Sequence, residues 1–165
     1  VRGPVVTASY HNRPDQTALA KINDGAGGVW HRMGDVGYLD EQGRVWFCGR
    51  KSQRVRLADG DLYTVACEGV FNAHPAVFRT ALVGVKLDGR VQPVICFELR
   101  SDTPANPNIV MDDFTRFADR TADTRKISRY LHYPKPFPVD IRHNAKINRE
   151  KLAVWAAKQL GGTPA

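Results

Sequence analysis

No run of apolar residues in this chain approaches the roughly 20 that a membrane-crossing helix needs, so no transmembrane segment is expected. The first residues, Val1-Arg-Gly-Pro-Val-Val, lack the basic-then-apolar order of a signal peptide. They also lack an initiating Met, so a fragment of a longer protein is expected. Cysteine is scarce. Cys48, Cys67 and Cys96 are odd in number and far apart, with no Cys-x-x-Cys and no His at zinc-ligand spacing. That argues against a disulfide scaffold or a zinc module. Each cysteine sits beside apolar residues, so buried free thiols and a reducing cytoplasm are the expectation. No internal repeat is visible.

What remains is ordinary globular material. The 165 residues are 42% hydrophobic and 25% charged, enough for one core or two small ones. The formal net charge is +7, and most of the excess lies between Arg125 and Lys151, where eight basic residues face only Asp140 and Glu150. Such a patch attracts nucleic acid, acidic lipid, a partner protein or nucleotide phosphates. No aromatic platform is interleaved with it, so nucleic acid is not expected, and a solvated basic face is the plain reading for most of these residues.

Along the chain, residues 1–49 read as β-rich. Pro4-Val-Val-Thr-Ala-Ser suggests a strand, Ala18-Leu-Ala-Lys-Ile a helical turn, and Asp24 to Gly28 a loop. Val29-Trp30-His31 starts a strand, and Gly37-Tyr38-Leu39 with Val45-Trp46-Phe47 flanks a hairpin turn. Lys51 to Asp61 is polar and turn-rich, a linker or hinge. Leu62 to Ala73 reads as a helix anchored by Val65, Ala66, Phe71 and Ala73. Val77 to Lys86 and Val91 to Leu99 form a hairpin around Asp88-Gly89, with Pro93 marking an edge strand or a strand entrance. Ser101 to Asn108 is a loop. Met111 to Ala122 is a helix, and Ile127 to Pro138 is too proline-rich for a regular element. Phe137 to Ile141 is a short strand, and Asn148 caps a helix from Arg149 to Leu160. Gly161 to Ala165 reads as a frayed tail. The fold class is α+β: a β-rich segment ahead of a small α+β unit.

Two stretches carry chemistry. The first is Met33-Gly-Asp35-Val-Gly37-Tyr-Leu-Asp40, continuing to Gly49-Arg50. A carboxylate such as Asp35 accepts hydrogen bonds from a ribose diol, and Arg50 donates in fork geometry. The second is Asn144-Ala-Lys146-Ile-Asn-Arg149, in which Lys146 brings one mobile positive charge to a phosphoryl group and an incoming carboxylate. Together they resemble the ribose clamp and catalytic lysine of the adenylate-forming enzymes, the superfamily of acyl-CoA synthetases, peptide-synthetase adenylation domains and luciferase. The resemblance implies that residues 1–50 are the β-rich end of the large N-terminal domain, 51–54 the hinge, and 55–165 the mobile C-terminal lid. It further implies Lys146 as catalytic, Asp35, Arg50 and Phe47 as ATP/AMP contacts, and Ser52 at the hinge position where Asp or Lys is usual. ATP and Mg²⁺ are the implied cofactors. No metal ligand is expected in this chain, because the phosphate loop and magnesium site belong to the large domain.

There are departures from the superfamily pattern. Met33 stands for Thr and Ala145 for Gly. Where ligases that load coenzyme A carry Lys-x-x-Gly-x-Arg-Ile, this chain has Arg56-Leu-Ala-Asp59-Gly60-Asp61-Leu62, although Glu68 keeps its register. This wording, together with Tyr133-Pro-Lys-Pro-Phe-Pro-Val-Asp-Ile-Arg-His-Asn-Ala-Lys146, looks like the β-lactone synthetases of bacterial long-chain olefin biosynthesis. Those enzymes adenylate a 2-alkyl-3-hydroxy acid and let its own hydroxyl displace AMP. The resemblance implies a small-molecule hydroxy-acid or fatty-acid substrate and a multienzyme complex with other olefin-biosynthesis enzymes. It also implies that the fragment alone is inactive. The alternatives are a fatty-acyl- or aryl-CoA ligase with a divergent loop, or a non-catalytic basic binding module.

Overall fold

The computed structural model describes residues 1–140 and 146–165. The chain opens with α1 (Pro14–Ala20) and two hairpins, β1 (Lys21–Asn23) with β2 (Val29–His31) and β3 (Asp35–Leu39) with β4 (Val45–Arg50). A 3-10 turn (Lys51–Gln53) leads to a third hairpin, β5 (Val55–Leu57) with β6 (Gly60–Leu62), and then to α2 (Thr64–Asn72). There follow β7 (Val77–Leu87), β8 (Arg90–Leu99), α3 (Pro107–Ala118), a second 3-10 turn (Thr124–Lys126) and β9 (Arg129–His132). The chain closes with α4 (Arg149–Leu160) and β10 (Thr163–Pro164). The α+β class is as expected. No helix among the described residues is long and apolar enough to cross a membrane.

The main sheet has the order β10-β7-β8-β9, with β9 parallel to β8 and the other pairs antiparallel. Asp88 (φ 48°) and Gly89 (φ 76°) turn β7 into β8, and two successive positive φ values are what the tight hairpin turn requires. The apolar runs of β7 and β8 are nearly continuous because both faces of the sheet are covered. Leu82, Ile95 and Phe97 point to one face, where α2 and α3 bring Phe71, Val110 and Phe114. Ala81, Val83, Val94 and Cys96 point to the other, against Leu152, Ala156 and Ala157 of α4. Phe114 is central to the first layer, its ring 5.0 Å from Phe71, 5.1 Å from Phe97 and 5.5 Å from Tyr130.

Every buried core residue lies at or beyond Val55. Ahead of it the hairpins leave Trp30, Tyr38, Leu39, Val45 and Phe47 exposed. Within β3–β4 the order is local: Tyr38 stacks on Trp46, and the Trp46 indole N–H donates to Asp40 Oδ2 (2.7 Å).

Several expectations need correcting. Residues 4–9 form no strand; Val6 N–H closes a turn onto Gly3 O, leaving Val5 exposed. The helical turn at 18–22 ends at Ala20, and Lys21 and Ile22 pair with β2. The linker is shorter than read, because residues 55–62 form the β5–β6 hairpin. In α2 the buried face is Thr64, Cys67, Glu68 and Phe71, so of the four expected anchors only Phe71 is buried. Pro93 is the fourth residue of β8 and not its entrance, but β9 joins only from Val94 onward, so at Pro93 the strand is still an edge on that side. The stretch 127–138 does contain a strand, β9, whose partner is long-range and parallel. Phe137 to Asp140 contributes one bridge, Val139 with Ile147, rather than a strand, and Ile141 lies outside the described residues. The tail is not frayed: β10 pairs with Lys86 and Val85, and Ala165 N–H donates to Gly84 O. Cys67 and Cys96 are buried free thiols, while Cys48 is half-buried.

Candidate functional site

Asp35 begins β3 and Arg50 ends β4, and the antiparallel register sets them opposite each other. Arg50 Nη1 donates to Asp35 Oδ1 (2.8 Å) and to Met33 O (2.7 Å), tying the hairpin's open end together. The register slips by one residue between Val36 and Gly37, a bulge that gives β4 one extra residue, Cys48. Gly49 anchors this end. Its φ of 125° favours glycine, and a Cβ there would lie 2.4 Å from Thr64 Oγ1 at the start of α2. Lys51 N–H adds a bond to Gly34 O. Phe47 sits across from Gly37, where an added Cβ would strike Trp46 O, and its ring is exposed. Asp35 keeps 30% of its side chain exposed beside a half-exposed Arg50. An exposed carboxylate with an adjacent guanidinium suits a ligand rich in hydroxyl groups.

Lys146 stands at the mouth of a second small structure. Val139 and Ile147 bridge, Asp140 N–H donates to Lys146 O (2.9 Å), and Asn148 N–H donates to Pro138 O (2.7 Å). These bonds make residues 138–140 and 146–148 the two limbs of one loop. Residues 141–145 lie outside the described residues. The Asn148 side chain then accepts Lys151 N–H, the capping bond that starts α4, as expected. Lys146 itself is exposed.

An open cleft of about 1440 Å³ runs between the 3-10 turn, the edge of β7 and this loop. Ser52 lines it, as do seven cations, Lys51, Arg54, Arg56, Lys86, Lys146, Arg149 and Lys151, against the acids Asp140 and Glu150. Positive charge concentrated around one cleft favours an anionic occupant. Asp35, Arg50 and Phe47 do not line it. The fold therefore joins Asp35 with Arg50, and Lys146 with Ser52, but does not gather all five residues around one cavity. Among the described residues no group of three or more His, Cys, Asp or Glu side chains is placed to hold a metal ion.

Sequence reasoning placed Glu68 in register but gave it no role, and it quoted Arg149 only as part of the lysine motif. The structure joins them. Arg149 Nη1 and Nη2 meet Glu68 Oε1 and Oε2 at 2.5 and 2.9 Å, and Leu82 N–H also donates to Glu68 Oε1 (2.7 Å). Burial pushes the Glu68 carboxyl up, while the guanidinium and the Leu82 N–H hold it down. His74 accepts Ala76 N–H on Nδ1 and sets Nε2 3.1 Å from Asp113 Oδ2, binding the end of α2 to α3.

No family model matches the chain. Known relatives do. The chain is 54% identical over 167 residues to an olefin β-lactone synthetase of Stenotrophomonas maltophilia, covering 97% of this chain and 29% of that protein. It is 51% identical over 164 residues to the olefin β-lactone synthetase of Xanthomonas campestris, covering 96% of this chain and again 29% of the relative. The chain thus spans under a third of the length of these relatives. Among solved structures, o-succinylbenzoate coenzyme A synthetase from Bacillus subtilis, in complex with ATP and magnesium ion, superposes with a TM-score of 0.73. That match is 24% identical over 92% of this chain and 29% of the other, a likeness of fold. The chain belongs to the adenylate-forming (acyl-CoA synthetase/luciferase) superfamily, and within it is similar to the olefin β-lactone synthetases.

Proposed function

We propose that this chain is the C-terminal part of an ATP-dependent β-lactone synthetase acting in the cytoplasm on a 2-alkyl-3-hydroxy acid. The observation that carries the reading is that the similarity to olefin β-lactone synthetases runs over 97% of the chain and so takes in both Asp35–Arg50 and Lys146. In this reading residues 1–50 end the large domain, 51–54 with Ser52 are the pivot, and 55–165 are the lid. The absence of any core residue ahead of Val55 supports that division. The expected multienzyme complex finds no support in the comparisons.

Asp35 would accept the ribose hydroxyls, Arg50 would hold that carboxylate and share the sugar, and Phe47 would border the nucleotide. The substrate carboxylate oxygen bonds to the α-phosphorus of ATP and pyrophosphate leaves. Lys146 stabilises the charge that builds on the phosphoryl oxygens. The substrate's 3-hydroxyl oxygen then attacks its own acyl carbon, losing its proton as AMP departs and the four-membered ring closes. The nucleophile is intramolecular and already at high effective concentration. Mg²⁺ would accompany ATP, held outside the described residues.

The test is a product assay on the full-length enzyme with a synthetic 2-alkyl-3-hydroxy acid and ATP. A β-lactone with equimolar AMP is expected, and the same acid without its 3-hydroxyl should stall at the bound adenylate. Hydrolysed acid or a thioester as the main product would sink the reading.

A further inference from the structure

We propose that Glu68 and Arg149 are positioning residues for Lys146: their two-pronged ion pair fixes the start of α4 and, through it, the base of the lysine loop. The inference rests on the adenylation reading above.

Arg149 is the first residue of α4 and follows Lys146 by three positions. Its guanidinium spans both Glu68 oxygens, and Nη1 also reaches Leu82 O (3.4 Å). Glu68 in turn takes Leu82 N–H from β7, a strand flanked by β10 and β8. The helix start is therefore tied to both α2 and β7. The pair is largely shielded, with side chains 10% and 16% exposed, so it is weakly screened and geometrically strict.

The incoming limb of the loop has its own anchor. Glu98 Oε2 accepts Phe137 N–H (3.0 Å) and meets Arg79 Nε (2.8 Å). Between these anchors the limbs are joined by the bonds of Asp140 and Asn148 described above. Glu68 does not line the cationic cleft whereas Arg149 and Lys146 do, so Glu68 reaches the cleft only through its partner. The geometry matters because a flexible lysine is effective only if its backbone is fixed, and a displacement of about 1 Å costs on the order of 100-fold in rate.

Two measurements test this, one independent of turnover. In the 165-residue chain, Glu68→Gln should speed amide hydrogen exchange at Asp140 and Asn148 about tenfold or more, with the β8 amides unchanged. In the full-length enzyme the same variant should lower kcat for ATP–pyrophosphate exchange by about 10- to 100-fold with little change in the KM for ATP. A Lys146→Ala background supplies the discriminating readout: Glu68→Gln should then cost nothing further, because its effect runs through the lysine. If the two losses multiply, or if Asp140 and Asn148 exchange as in the parent, the positioning role is overturned. Near-normal exchange activity in Lys146→Ala alone would remove Lys146 from the mechanism and overturn the positioning role built on it, whereas no exchange in the unmutated enzyme would overturn the adenylation reading. If Glu68→Gln does not fold, Arg149→Lys, which keeps the charge and loses the fork, is read by the same criteria.

Discussion

Arg54, just ahead of β5, reaches diagonally across the β5–β6 hairpin to Asp61, its guanidinium Nε 2.9 Å from Asp61 Oδ2. Asp61 stands where ligases that load coenzyme A are expected to carry an arginine, and its neighbour Asp59 is taken by Lys126 at 2.8 Å. The Lys126 ammonium holds the Asp59 carboxyl below its usual range. Both acids of the loop are thus engaged within the fold, and neither can supply an arginine's contacts. Adding coenzyme A to the full-length enzyme should change neither the rate of AMP release nor the product. Mass spectrometry decides it: a coenzyme A thioester as the main product would favour the ligase reading.

Asp35 is the second test. Replacing it with Ala should raise the apparent KM for ATP about 10-fold or more, the worth of one charge-assisted bond of roughly 1.5–3 kcal/mol. Its exposure and its existing bond to Arg50 set the effect at the lower end of that range. Removing one ribose hydroxyl from ATP should weaken binding to the parent enzyme and much less to the variant. Equal sensitivity in both would make Asp35 a hairpin residue only.

Much of this was legible in the sequence, for local reasons. The β3–β4 and β7–β8 hairpins follow from turn residues flanked by apolar alternation, and the start of α4 from Asn148. β9 and β10 were not legible, since their partners lie more than 30 residues away in sequence and their own composition reads as loop or tail. The buried face of α2 was misread because Val65 is apolar yet exposed, while Glu68 is charged yet buried. Only a partner 81 residues later, Arg149, makes that burial tolerable. At the candidate site the motifs supplied the residue names. The pairing of Asp35 with Arg50 needed the register, and the Glu68–Arg149 clamp needed the tertiary fold.

The thiols give a prediction about reactivity. Burial pushes the Cys67 and Cys96 thiols up to about 12, so neither forms thiolate near neutrality. Cys48 is half-buried on β4. A chromogenic disulfide reagent at neutral pH should therefore label about one thiol per folded chain, lost in Cys48→Ser, with all three reacting after denaturation. Rapid labelling of a second thiol without unfolding would show that the sheet opens around Cys96 or Cys67.

The hairpin that carries Asp35 has a pH signature of its own. The Trp46 indole N–H, then the Arg44 backbone and guanidinium and the Gln42 N–H, hold the Asp40 carboxyl below its usual range. A folded value depressed below the unfolded one means that Asp40 contributes stability above the ordinary carboxylate range. That contribution is lost as the pH falls through the depressed value. The group is at the surface, so the loss should be local: β3–β4 loosens while the β7–β8 core stays folded. Followed by NMR, the Trp46 indole N–H should shift with a midpoint below that of an ordinary aspartate, and Asp40→Asn should abolish the transition. A midpoint at or above the ordinary value would mean that the indole bond does not persist in solution. The turn at the far end of the hairpin from Asp35 and Arg50 would then be held by the backbone bonds and by the Asp40 bonds to Gln42 and Arg44.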